Sequence, residues 1–416
     1  MNSTVAAFVK LAVCVALVCW LAGSLFAQNP PVDSGLVAHE WGTFTSVAGN
    51  DGQAVEWSPF SPTGPDDLPG FVEHLHWIQF KQELRGTVRM ETPVLYFYSQ
   101  QSETISVHVG FVKGIITEWY PHADQPARDD RLNDAEVYRQ HGGDGSISWN
   151  SVAVEPKTRA DFPQDLVSRP KLVSEESSGA NNRYYAARQT ASAPLRVRTA
   201  SADQHEKFLF YRGVASFPVP LTATFTPEGK VAVNNSFAEG VSTMIWFERR
   251  GEQVGYRVSQ EIDGQTVLDP PEMTARLEHV YADLEEMLVA RGLYRDEAHA
   301  MIETWQDSWF EEGSRLLYMV PVSFVDSVLP LTIKPAPAQT ARVFVGRMEL
   351  VSPATKQAVA AALAADDQKT LAQYGRFLSP IMEMIETATP QANQNNTSLA
   401  APCLVEPAVA RTNRQP

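Results

Sequence analysis

Ile-Ser-Val-His-Val-Gly-Phe, residues 105–111, alternates apolar and polar positions. In an extended chain Ile105, Val107, Val109 and Phe111 fall on one side, and Ser106, His108 and Gly110 on the other. A period of two marks a half-buried strand. Nearby segments carry the same texture further. Val-Leu-Tyr-Phe-Tyr (94–98), Phe-Leu-Phe-Tyr (208–211) and Met-Ile-Trp-Phe (244–247) are apolar on both faces and read as central strands. Pro-Glu-Gly-Lys (227–230) and Asp-Gly (263–264) are turn signals between strands. From Leu36 to about Gly264 the chain therefore reads as many short strands joined by turns, the pattern of one or two β-sandwiches.

The texture changes at Asp269. Asp-Pro-Pro-Glu (269–272) places a cap, a proline in the first turn and a Glu three residues on. Leu277, Val280, Tyr281, Leu284, Met287 and Leu288 then follow helical spacing, and Gly292 is a natural stop. A second helix is expected over roughly 296–313. Residues 316–350 return to strands, able to complete one of the earlier sheets. Ser-Pro at 352–353 and 379–380 open short helices around 353–365, 367–377 and 380–388. The expected class is α+β, mostly antiparallel β with a helical C-terminal part. Two β units cover 36–155 and 183–268, with a linker over 156–182 and a charged loop over 124–145. A mixed helical segment follows over 269–388. The tail from 389 to 416, rich in Gln, Asn, Thr and Pro, reads as disordered.

The N-terminus has its own logic. Lys10 precedes an apolar run of about 16 residues, Leu11 to Phe26, and Gln-Asn-Pro-Pro follows. That run falls short of the ~20 residues of a spanning helix. It reads as a signal peptide over 1–27, cleaved after Ala27 or after Ser24, ahead of a polar leader over 28–35. The chain is therefore expected to be exported, periplasmic or extracellular, with no membrane span after cleavage. Cys14 and Cys19 leave with the signal, and Cys403 alone cannot form an intramolecular disulfide. The net charge of −15 argues against nucleic-acid binding and against an anionic membrane surface.

Three carboxylates sit beside aromatic residues on expected strands. In His39-Glu40-Trp41-Gly42-Thr43-Phe44, Glu40 shares a face with Leu36, Ala38 and Phe44. A carboxylate on an apolar face either pairs with a cation or has a raised pKa. Arg89 and Glu91, on another strand, supply a partner and a competitor. Pro93 cannot donate to a ladder, so it marks a bulge or edge that would re-aim Glu91. Glu118, in Glu-Trp-Tyr-Pro-His, ends a further strand. Two such carboxylates between aromatic walls would form a glycosidase-like pair, whereas internal ion pairing is the plain alternative.

His74-Leu75-His76 puts two imidazoles on one side of an extended segment, a spacing zinc sites use with a third ligand from elsewhere. A divalent metal is thus an option, and no other cofactor is expected. Arg295, His299, Glu303, Asp307, Glu311 and Arg315 recur every four residues, but each step turns about 40° around a helix. They read as a solvated face opposite a core stripe of Met301, Ile302, Trp305 and Trp309. Dinucleotide, P-loop, nucleophile-elbow and zinc-protease motifs are absent from the sequence.

His-Glu-Trp-Gly-Thr-Phe-Thr-Ser (39–46), Val-Arg-Met-Glu-Thr-Pro-Val-Leu-Tyr-Phe-Tyr-Ser (88–99) and Phe-Leu-Phe-Tyr-Arg-Gly-Val (208–214) resemble stretches of a group of exported, uncharacterised bacterial proteins. So do Thr-Trp-Gln-Asp-Ser-Trp-Phe-Glu-Glu-Gly (304–313) and Arg-Val-Phe-Val-Gly-Arg (342–347). The resemblance implies a bacterial origin and an envelope or extracellular location. It assigns no activity, cofactor or site residue.

Two functions follow as expectations. The first, and favoured, is a non-catalytic binding protein for an envelope component, a glycan or another protein. Its glycan version needs Trp41, Trp57, Trp119 and Tyr120 to be exposed. The second is a secreted hydrolase using Glu40 with Glu91 or Glu118, with a metal on His74 and His76 as an option.

Overall fold

The computed structural model describes residues 35–59, 68–74, 84–126, 143–164 and 182–388. The expected signal peptide, His76, Cys403 and the C-terminal tail lie outside the described residues.

In chain order the first strands are β1 (Val37–Ala48), β2 (Glu73–His74), β3 (Val88–Tyr98), β4 (Glu103–Phe111), β5 (Gly114–Tyr120) and β6 (Gln125–Pro126). Then come β7 (Gly145–Val154), helix α1 (Asn182–Ala186), β8 (Leu195–Arg198), β9 (Asp203–Glu206) and β10 (Phe208–Ala215). β11 (Leu221–Phe225), β12 (Val231–Asn235), β13 (Val241–Arg250), β14 (Gln253–Ile262) and β15 (Gln265–Leu268) follow. The C-terminal part holds α2 (Leu277–Ala290), α3 (Arg295–Trp309), β16 (Gly313–Met319), α4 (Val322–Val328), β17 (Leu331–Lys334) and β18 (Gln339–Leu350). It ends in α5 (Pro353–Ala365), α6 (Gln368–Ala372) and α7 (Leu378–Ala388).

The fold is α+β with mostly antiparallel strands. A nine-stranded sheet in the order β14-β13-β16-β18-β1-β3-β10-β5-β2 forms the centre. Its strands come from 36–155, from 183–268 and from the segment after Asp269, so these stretches share one sheet. The physical reason lies in β1, β3 and β10. All three are buried along their whole length, and such strands need neighbours on both edges and layers on both faces. The return strands β16 and β18 supply part of that cover, β18 running parallel to β1.

The alternation of side chains gives the sheet two different faces. Ala38, Phe44, Leu95, Phe97, Leu209 and Met348 face two smaller sheets, one of β4, β7, β8 and neighbours, the other of β11, β12 and β15. Ile105, Val107, Val109 and Phe111 pack there from β4, as their alternation predicts. Val37, Trp41, Val94, Tyr96 and Val345 point the other way, onto α2 and α3. At one end of that second face Val47, Trp57 and Val351 meet the α5–α7 group.

The helices show where local signals hold and where they fail. Asp269-Pro-Pro-Glu does not start α2, which begins at Leu277. Instead the strand β14 is held there, since Ala275 donates its N–H to the Val254 carbonyl. Val280, Leu284 and Leu288 are buried as the spacing requires, and Gly292 has φ +109°, a conformation open to glycine. α3 stops at Trp309, short of the expected 313. Arg315 therefore stands on β16, and from there its guanidinium donates to the Trp309, Glu311 and Glu312 carbonyls at the end of α3. Ser352 caps α5 by accepting from the Thr355 N–H. No described helix is long and apolar enough to cross a membrane.

Candidate functional site

The central sheet loses its regular register at one level. The β1/β3 pairing shifts between Trp41 and Thr43, the β10/β3 pairing between Phe210 and Gly213, and the β10/β5 pairing between Arg212 and Gly213. Thr92, just before Pro93, has φ +36°, a costly conformation for a β-branched residue. Aligned bulges re-aim side chains and recur beside functional sites. Gly213 allows the strands to close at this level: a Cβ there would stand 2.2 Å from the Ile115 carbonyl oxygen. Because that neighbour is backbone, Gly213→Ala is expected to destabilise by about 1–3 kcal/mol or more. Urea denaturation checks this, and an unchanged midpoint would contradict it.

The three candidate carboxylates are all buried near this level, and each faces an arginine. Glu40 lies on the sandwich side of the sheet. It accepts hydrogen bonds from Tyr211 Oη and from Arg342 Nε, the latter at 2.7 Å. Its partner is thus Arg342 rather than Arg89, because β18, not β3, brings a cation to that face. Asp326 takes the other end of the Arg342 guanidinium at 2.6 Å. Burial lowers the Arg342 pKa, but Glu40 and its neighbours more than reverse this and leave it above its ordinary value.

Glu91 lies on the helix side, where Arg376 Nη1 approaches Oε1 to 3.0 Å. Burial raises its pKa, but Arg376, Arg89 and Arg347 outweigh that and hold it at about 2. Glu118 accepts from Arg212 Nη2 at 2.9 Å and Nε at 3.0 Å, and from the Thr117 hydroxyl. Glu40 is therefore cut off from Glu91 by the sheet itself. Glu91, far from being a raised-pKa acid, is pinned as an anion.

Sequence reasoning missed two further groups. His39 donates through Nδ1 to Glu297 Oε2 at 2.8 Å, and Glu297 also accepts from Tyr98 Oη at 2.7 Å and the Tyr294 N–H at 2.7 Å. The pair is fully buried and pins the first turn of α3 to β1. The signal for it was the position of Glu297, three residues after the N-cap Tyr294, where a capping box puts a carboxylate. The second group joins β16, β18 and α3. Arg315 reaches Glu349 at 2.9 Å, and Arg347 reaches Glu311 at 2.6 Å and Glu349 at 3.1 Å. No spacing rule places these residues together, because the contacts cross strands.

Between α1, α3 and the bulged strands lies an apolar cavity. Val94, Tyr184, Phe208 and Phe210 line it, together with Thr92, Thr304 and Trp305. Thr92 Oγ1 and Trp305 Nε1 are buried and lack a hydrogen-bond partner. A buried donor without a partner is uncommon and calls for an explanation.

The aromatic residues offered for glycan contact are not on the surface. Trp41, Trp57, Trp119 and Tyr120 are 0%, 1%, 5% and 4% exposed. They pack the core, as large aromatics usually do, and a glycan platform built from them is ruled out. His74 is exposed on β2, beside the rung of Glu118. His76 lies outside the described residues, so the His-x-His pair is not described. Among the described residues no three His, Cys, Asp or Glu side chains group in a way that could hold a metal ion. His39 and His108 are engaged with Glu297 and Ser148, and His122 with Glu73.

No family model matches the chain, and no curated protein matches it. Among solved structures the similarity is slight. The Fcho1 Mu homology domain of Danio rerio with bound Eps15 peptide has a TM-score of 0.27 at 7% identity, covering 78% of this chain and 98% of that one. The yeast delta-COP-I mu-homology domain complexed with a Dsl1 WxWxV peptide has a TM-score of 0.26 at 7% identity, covering 77% and 98%. Similarity at this level carries no argument about function.

Proposed function

We propose that this chain is an exported, non-catalytic binding protein of the bacterial envelope or extracellular space. One observation carries the non-catalytic part. Glu40, Glu91 and Glu118 are each committed to an arginine. A general acid must hold its proton near working pH, and a carboxylate held at about 2, as Glu91 is, cannot. The leader, with Lys10 before its apolar run, supports export. The stretches that resemble exported bacterial proteins lie on β1, β3, β10, β18 and α3, and that resemblance supports the envelope or extracellular location.

Two measurements test this reading. N-terminal sequencing of the protein from its native compartment should give a start at Ser-to-Leu 24/25 or Ala-to-Gln 27/28; a cytoplasmic protein that keeps Met1 would refute export. Purified protein should leave a panel of chromogenic glycosides and esters intact. Hydrolysis that disappears in a folded Glu91→Gln or Glu118→Gln variant would instead establish the hydrolase.

A further inference from the structure

We propose that two copies of this chain associate through the free edge of β14, paired antiparallel about a two-fold axis at Ser259, so that two nine-stranded sheets join into one. This association is independent of what the chain binds. β14 is the last strand of the central sheet, so one of its edges has no strand beside it. Its pairing with β13 runs from Val241 with Ile262 to Arg250 with Gln253 and has no register shift. Successive residues therefore alternate between backbone groups turned to β13 and groups turned outward. The Val254 carbonyl accepts from the Ala275 N–H, which sets the phase. Tyr256, Val258 and Gln260 then also turn their N–H and C=O outward. The segment before α2 closes only the first part of this edge. It bonds Val254 there, and a Cβ on Gly255 would stand 2.9 Å from the Glu272 carbonyl oxygen. Among the described residues no backbone bond reaches the outer groups of Val258 and Gln260. At the other end Glu261, with φ +54°, marks the bend where the chain turns off toward β15.

The open stretch thus runs from Arg257 to Glu261 and is centred on Ser259. An unpaired edge is a template for another strand, and a second copy fits it because the stretch complements itself. Antiparallel pairing at Ser259 sets Val258 against Gln260 of the second copy, and Arg257 against Glu261 of the second copy, each twice by symmetry. Val258 and Gln260 have outward backbone groups, so their rungs are the hydrogen-bonded ones. Arg257 and Glu261 fall on the rungs where facing side chains come closest, with opposite charges opposed. Both are exposed. The Arg257 guanidinium reaches the Pro270 carbonyl at 3.4 Å, and with five donors it can keep that contact and still pair. Val258 is 36% exposed, one of a few large apolar side chains on the surface, and it would meet its symmetry mate across the diagonal of the ladder.

Sedimentation equilibrium of the purified protein, from micromolar to submillimolar concentration, tests this. The wild type is expected to show a reversible monomer–dimer equilibrium. Arg257→Glu and Glu261→Arg each set like charges across the axis and should weaken dimerisation about tenfold or more. The double variant Arg257→Glu/Glu261→Arg restores opposite charges in the same register and should return the dimer to near the wild-type affinity. Val258→Lys puts a charge on the apolar contact and should abolish it. Thermal melts followed by circular dichroism check that each variant is folded. A wild type that stays monomeric throughout, a dimer indifferent to the single charge reversals or to Val258→Lys, or a double variant as weak as the single ones would overturn the proposal.

Discussion

Arg342→Met is expected to destabilise the fold by about 3–5 kcal/mol, among the largest single-residue effects in the molecule. The substitution strands Glu40, which is fully buried and would keep only the Tyr211 hydroxyl. Asp326 at the other end of the arginine is 57% exposed and returns to water at little cost. The double variant Glu40→Leu/Arg342→Met should recover much of the loss, because two apolar groups can replace a buried ion pair almost neutrally. Urea denaturation of the two single variants and the double variant reads the coupling. A double variant no more stable than either single one would mean that the pair is not an energetic unit.

Glu91 should give the protein a stability term that vanishes in acid. Its folded pKa, about 2, lies below the ordinary 4.5. A depressed carboxylate stabilises fully above its unfolded pKa and loses that contribution as pH falls through the folded value. The window is thus pH 4.5 down to 2, and the contribution is about 3 kcal/mol. Glu91→Gln removes it. The stability gap between wild type and Glu91→Gln should therefore narrow by that amount between pH 5 and pH 2. A gap independent of pH would show that Arg376, Arg89 and Arg347 do not hold the carboxylate down.

Much of the fold was legible locally. The alternation from Ile105 to Phe111 gives β4 and its buried face, and the apolar runs at 94–98, 208–211 and 244–247 are strands of the central sheet. Ser352 before Pro353 marks the start of α5. What was not legible is what depends on partners distant in sequence. That strands from 36–155, from 183–268 and from the segment after Asp269 share one sheet was not legible, because a strand's hydrophobic pattern tells that it is covered, not by which strand. The Glu40 partner was misplaced for the same reason: Arg89 is near in sequence, whereas Arg342 is brought by β18. Pro93 did signal the bulge that re-aims Glu91. Trp41, Trp57, Trp119 and Tyr120 carried no sign of exposure, since core and surface aromatics look alike without their neighbours.

The parallel pairing of β1 with β18 has a consequence for the order of assembly. It matches Val37 with Gln339 through to Ala48 with Leu350, joining residues about 300 apart, as Glu40 and Arg342 are. Until residues 339–350 arrive, β14-β13-β16 and β1-β3-β10-β5 remain two ribbons, each with an open hydrogen-bonding edge. Such long-range closure makes folding slow and leaves half-built intermediates prone to association. A chain delivered amino-terminus first must therefore be kept from collapsing until nearly its whole length is present. A polypeptide interrupted before β18 would yield a sticky fragment rather than a smaller working protein.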